Sequence, residues 1–135
     1  MIQAFADTYY FIAVINRKDA GHAEALRAGR RPGLRLVTTA WILTELADAL
    51  SAPPERRFVA AFIRDIQSRS RVTTIPATQE WFDRGLEFYE QRPDKSWTLT
   101  DCISFEVMRR FGMTEALTGD RHFAQAGFVP VLARP

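Results

Sequence analysis

Short apolar or β-branched runs alternate with amphipathic helical stretches along this chain, and no other feature constrains its fold as much. IQAFAD reads as a buried strand over residues 2–7, and the apolar YYFIAVIN that follows reads as a helix up to Asn16. DAGHAEALRAG is a second helix closed by Gly29; the basic turn RRPG then leads into LRLVTT, a β-branched strand over 34–39. In AWILTELADAL, Ala40, Leu43, Ala47 and Leu50 share one helical face while Glu45 and Asp48 take the other, and Pro53-Pro54 ends the helix. ERRFVAAFIRDIQSRS carries Phe58, Val59, Phe62 and Ile66 at helical spacing, which predicts core positions for Phe58 and Phe62; VTTIP follows as a third strand. TQEWFDRGLEFYEQR is helical, with Phe82, Leu86 and Tyr89 among its apolar positions. The polar loop PDKSWTLT opens a further helix from Asp101 to Phe111, stopped by Gly112. A strand TEALT, a turn at Gly119-Asp120, a short helical turn and FVPVLA come last. Parallel neighbours need a crossover between them, and repeated strand–helix alternation supplies one each time. The expected fold is therefore a three-layer α/β sandwich around a mostly parallel sheet.

At 135 residues and 47% hydrophobic content, one domain over residues 1–135 with a single core is expected, and no repeats or linkers interrupt it. No apolar run approaches the length of a membrane helix, and MIQAFADTYY has neither the charged start nor the cleavage site of a signal peptide, so no membrane association and a cytoplasmic location are expected. The one cysteine, Cys102, precludes an internal disulfide, and with His22 and His122 it makes no convincing zinc set; any metal here has to rely on oxygen. The net charge is only +2, yet all the basic residues except Lys18 and Lys95 are arginine, with pairs at Arg30-Arg31, Arg56-Arg57 and Arg109-Arg110. The planar guanidinium fork suits phosphate, although each single pair also reads as solvated helix surface.

Four acids stand where a strand or loop gives way to a helix, or soon after: Asp7 in FADT, Glu45 in ILTEL, Asp101 in TLTDC and Asp120 in LTGDRHF. Carboxylates at the carboxyl edge of a parallel sheet can converge in one crevice, where hard divalent cations take oxygen ligands. That arrangement points to metal-dependent phosphodiester chemistry. Each acid also has a purely structural reading. Asp7 and Asp120 suit turns or helix N-caps, Asp101 suits a capping box with Thr98, and Glu45 suits a solvent-facing helix position. As a set they say more, since Asp7 and Asp120 end predicted strands and Glu45 lies within two turns of a third. Asp101 follows a loop, and local sequence does not place it with the others.

FADT near the start, a helical TEL, TDCISF two-thirds along and LTGDRHFAQAGF near the end resemble the PIN domain, in particular the VapC-type toxins of bacterial and archaeal toxin–antitoxin pairs. The resemblance covers nearly the whole chain. It implies an α/β/α fold with a central parallel sheet, one or two Mg²⁺ or Mn²⁺ ions, and cleavage of RNA. Its clustered acids correspond to Asp7, Glu45, Asp101 and Asp120 as catalytic and metal-binding residues; among them Asp7 and Asp101 are expected as direct or water-mediated ligands, and Glu45 and Asp120 to complete the charge and orient water. Thr8 and Thr118 take its supporting hydroxyl positions, while Tyr9 and Tyr10 stand where many relatives carry smaller residues. It also implies a homodimer and a cognate antitoxin that blocks the site.

Rival chemistries fit the residues less well. A haloacid-dehalogenase-type phosphatase needs a second aspartate two residues after the first, where this chain has Tyr9, and a receiver domain needs a late lysine that is missing. A lone cysteine beside a helix start, such as Cys102, is usually a small buried hydrophobe. The competitor of another class is a PIN-like module that binds RNA or protein without cutting.

Overall fold

The computed structural model describes residues 2–134. Strands β1 (Ile2–Ala6), β2 (Leu34–Thr39), β3 (Val72–Ile75), β4 (Glu115–Leu117) and β5 (Val129–Pro130) form one sheet in the order β3-β2-β1-β4-β5, with every neighbouring pair parallel. Among the described residues seven helices flank it: α1 (Thr8–Ile15), α2 (His22–Gly29), α3 (Ala40–Ala49), α4 (Glu55–Ser68), α5 (Gln79–Gln91), α6 (Leu99–Arg110) and α7 (Arg121–Gln125). This is the expected α/β/α sandwich. Sheets covered on both faces bury their central strands completely. Accordingly Ala4, Phe5 and Ala6 of β1 have no exposed surface.

The strand order decides where a ligand can sit. From β1 the chain builds outward through β2 to β3, and then returns to the other side of β1 to lay down β4 and β5. The reversal leaves a crevice beyond the carboxyl ends of β1 and β4, the usual ligand position in open parallel sheets. A helix that feeds a parallel strand runs against it, so α6, which leads into β4, begins at that same edge.

An aromatic cluster fixes α6 and α7 there. The Phe105 ring meets Trp97 at 5.2 Å and Phe123 at 4.9 Å between centroids, both edge-on, and Phe123 in turn reaches Phe5 of β1 at 6.3 Å. The Trp97 indole N–H donates to Gln125 Oε1 at 2.9 Å, which ties the loop before α6 to the end of α7. On the outer side α5 lies flat on α6 because Gly85 has no side chain; a Cβ there would stand 2.2 Å from Ile103 Cγ1.

Several local expectations shift. Helix α6 starts at Leu99, two residues early, because Thr98 and Asp101 form a full capping box that satisfies the Thr98 and Asp101 N–H groups. Helix α2 starts at His22, since Asp19 Oδ1 accepts the Gly21 N–H at 2.7 Å and holds residues 19–21 in a turn. TEALT is a strand only over 115–117, and FVPVLA contributes only Val129–Pro130. In α3 the buried residues are Ile42, Leu43 and Leu46, a different but equally helical spacing that puts the larger side chains inward; Glu45 and Asp48 are exposed as expected. Phe58 is a correction: it is 55% exposed and stacks on Phe62, which alone carries the contact inward, to Phe11. Cys102 is buried core, and burial pushes its thiol up to about 11.

Candidate active site

Asp7 follows the last residue of β1 and starts α1 with extended backbone, so its side chain is set at the carboxyl edge of the central strand. It is 6% exposed. Its Oδ2 accepts the Thr118 hydroxyl at 2.7 Å, and that hydroxyl in turn accepts the Asp120 backbone N–H at 3.1 Å. Thr118 thereby joins the end of β4 to the end of β1. On the opposite side the Thr8 hydroxyl donates to Glu45 Oε1, which ties the first turn of α1 to α3. The two hydroxyls serve crosswise: Thr8 is adjacent to Asp7 in sequence but holds Glu45, whereas Thr118 precedes Asp120 but holds Asp7.

Asp101 sits at the third position of α6, where Oδ2 accepts the Thr98 N–H at 3.1 Å. Asp120 is the N-cap of α7, with Oδ1 accepting the His122 N–H at 2.9 Å. Both capping roles read from sequence are therefore present, and neither takes the acid away from the crevice. Asp7, Thr8, Glu45, Asp101 and Asp120 line one open cleft of about 360 Å³ together with Tyr9, Thr98 and His122. Tyr10 points elsewhere, with its hydroxyl against Gly29, while Tyr9 lies over Gly119 at the cleft rim.

Crowded carboxylates in a partly buried crevice resist ionisation. The Asp7 carboxyl is raised to about 7, first by burial and then by the nearby charges of Asp101 and Glu45, against the lowering effect of the Thr118 hydrogen bond. A divalent cation would offset that clustered charge. The carboxylate oxygens are the donors a hard divalent cation takes, so the residues fit such an ion. His122 was weighed in the sequence only as part of a zinc set and set aside there. Its Nδ1 stands 3.0 Å from Asp101 Oδ2 and 3.6 Å from Asp120 Oδ1, and Asp101, Asp120 and His122 offer ligand atoms that all lie within 4.8 Å of one another. The available signal was its position two residues beyond Asp120, in the first turn of a helix capped by that acid.

Arginines do not ring the cleft: none is among its lining residues. Arg30, Arg69 and Arg71 instead share a hollow with Tyr10 and Gly29, and Arg31 bridges Glu115, the first residue of β4, at 2.8 Å. These positions lie at the amino edge of the sheet, opposite the acids. A roomier hollow of about 440 Å³ between α3 and α4 is lined by Val59, Ile63, Arg56, Arg64 and a single acid, Asp48, and has no comparable cluster of ligating groups.

The sequence profile of the PIN domain matches residues 4–129. The 23S rRNA-specific endonuclease VapC20 of Mycobacterium tuberculosis is 30% identical over 128 residues, which cover 94% of this chain and 96% of that protein. The crystal structure of VapC20, described as a sarcin-ricin loop cleaving toxin, is similar with a TM-score of 0.82 and 27% identity over 94% of this chain and 97% of that one. Two structures share the fold at 14% identity. They are VapBC2 from Rickettsia felis bound to a DNA fragment from their promoter (TM-score 0.65, 96% of each chain) and FitAcB from Neisseria gonorrhoeae (TM-score 0.59, 96% of this chain and 98% of that one). With the profile matched across nearly the full length and a relative of this identity, the chain belongs to the PIN domain family.

Proposed function

We propose that this protein is a metal-dependent endoribonuclease and the toxin of a toxin–antitoxin pair, with Asp7, Glu45, Asp101 and Asp120 as its catalytic, metal-binding acids. The observation that carries the reading is the meeting of four carboxylates from four separate elements in one cleft at the strand-order reversal. The similarity to VapC20, itself an rRNA endonuclease, supports RNA as the substrate and the 23S sarcin-ricin loop as the first target to try.

Mg²⁺ or Mn²⁺, when bound, supplies Lewis acidity toward a phosphate oxygen and toward water. The remaining work falls to the chain. Asp7 and Asp101 hold the ion, and the Thr118 hydroxyl and the Thr98 N–H fix the directions of their carboxylates by occupying one oxygen of each. Glu45, the most open of the four, is held by Thr8 facing the substrate side, where it orients the attacking water. Asp120 completes the negative charge. A cognate antitoxin that covers the cleft, a homodimer and action in the cytoplasm complete the proposal; no described helix is long and apolar enough to cross a membrane.

Purified protein freed of any partner should cleave a 23S rRNA fragment in Mg²⁺ or Mn²⁺ and stop in chelator. Asp7→Asn and Asp101→Asn should each slow cleavage at least about a hundredfold, the scale of losing a main electrostatic contributor. A wild-type rate in either variant would remove that residue from the site. Absence of any cleavage by metal-loaded wild type would leave a binding module. Expression of the chain alone should arrest a bacterial host, with Asp7→Asn relieving the arrest at equal protein level; a wild type that cuts RNA without arresting growth would be a processing nuclease.

A further inference from the structure

We propose that His122 is a nitrogen ligand of the divalent ion and that it biases the cleft toward Mn²⁺ over Mg²⁺. The inference rests on the reading of the cleft as a metal site and adds to it a residue outside the four acids.

The backbone sets the ring in place. Asp120 caps α7 by accepting the His122 N–H at 2.9 Å, and the ring of the same residue turns back over the cap, so that Nδ1 lies 3.6 Å from Asp120 Oδ1. The same nitrogen lies 3.0 Å from Asp101 Oδ2, across the gap between α7 and α6. The side chain is 19% exposed, and its far nitrogen, Nε2, is 3.5 Å from the Ser96 hydroxyl. A proton on Nε2 facing Ser96 leaves the Nδ1 lone pair directed at two carboxylate oxygens. Three acceptors facing one another repel unless something positive lies among them. A divalent ion placed among them would be bound by all three.

The spacing suits such an ion. Cis donors around an octahedral ion with bonds of about 2.1 Å stand ~3.0 Å apart, close to the Nδ1–Asp101 separation and somewhat less than the Nδ1–Asp120 one. The Asp101 carboxylate is braced by the Thr98 N–H, as ligating carboxylates usually are by a neighbouring hydrogen-bond donor. An imidazole ligand discriminates among ions. Mg²⁺ favours an all-oxygen shell, while ions of the first transition row accept nitrogen readily, with affinity rising beyond Mn²⁺ along the series.

The experiment is pulsed electron paramagnetic resonance on the full chain, stripped with chelator and reloaded with Mn²⁺. Echo-envelope modulation should show a directly coordinated ¹⁴N in the wild type, lost in His122→Gln and kept in His22→Gln. His22 is the other histidine, and its Nδ1 is engaged 2.7 Å from the Ala13 carbonyl. Calorimetric titrations should show the Mn²⁺-over-Mg²⁺ preference falling at least about tenfold in His122→Gln, within the range by which the groups around a metal tune its binding. Bound Mn²⁺ without coordinated ¹⁴N in the wild type would overturn the inference and leave the metal-site reading intact. So would a ¹⁴N signal that survives in His122→Gln. Failure of Mn²⁺ to bind the wild type at all would overturn both.

Discussion

The Asp120 carboxylate accepts the His122 N–H and lines the cleft with the same group, so its charge and its capping can be separated by choice of substituent. Asparagine keeps an oxygen for the cap and removes the charge; alanine removes both. In chelator Asp120→Asn should melt at or above the wild-type temperature, because like-charge repulsion falls while the cap survives. Asp120→Ala should lie below Asp120→Asn by about 1 kcal/mol, the usual worth of an N-cap. Thermal melts of the three proteins check this, and equal melting of the two variants would mean that the cap contributes nothing. At the same scale the hydroxyl partners were hidden from the sequence. Thr8 and Thr118 were expected beside the first and last acids, but which acid each would hold depends on the packing of α1 against α3 and of β4 against β1.

Packing of α5 on α6 turns on Gly85. A Cβ added there would stand 2.2 Å from Ile103 Cγ1 and 3.1 Å from Ile103 Cα, and the second contact is with backbone that cannot swing aside. Gly85→Ala should therefore destabilise the fold by about 1–3 kcal/mol, the usual cost of overpacking, despite alanine's better helix propensity. In an Ile103→Ala background the same change should cost less, because the nearest contact has gone; denaturant unfolding of the four proteins of that cycle measures the coupling. Most elements were legible in the sequence because period and caps are local properties. The start of α6 was missed by two residues, although both partners of its capping box had been identified. Phe58 was assigned to the core on spacing alone, and spacing cannot tell the inner edge of an amphipathic face from its rim.

Across the whole molecule, the end of β1, the middle of α3 and the starts of α6 and α7 bring negative charge together, and the apo fold bears the cost. The folded Asp7 carboxyl sits near 7 against 3.8 for an ordinary aspartate. Below about pH 4 both folded and unfolded forms are protonated, so the pKa difference has its full stabilising effect. As pH rises through the range between the two values only the unfolded form releases its proton, and stability falls until pH passes about 7. In chelator, the melting temperature of the wild type should therefore drop from pH 4 to pH 7 more steeply than that of Asp7→Asn; parallel curves would show that Asp7 is ionised in the apo protein. Saturating Mn²⁺ should reverse the loss, since an ion at a hundredfold excess over Kd adds about 2.7 kcal/mol if it binds only the folded state. The sequence by itself determined the layered parallel fold and the family, and singled out the four acids as candidates, because hydrophobic period, turn residues and short motifs are written within a few neighbouring positions. Only the tertiary structure decided that Asp101 joins the others, that His122 faces two of them, and that Arg30, Arg31, Arg69 and Arg71 lie at the opposite edge of the sheet. Those relations depend on the direction of α6 against β4 and on the reversal of strand order at β1, which arise when distant segments pack and which no local stretch of the chain encodes.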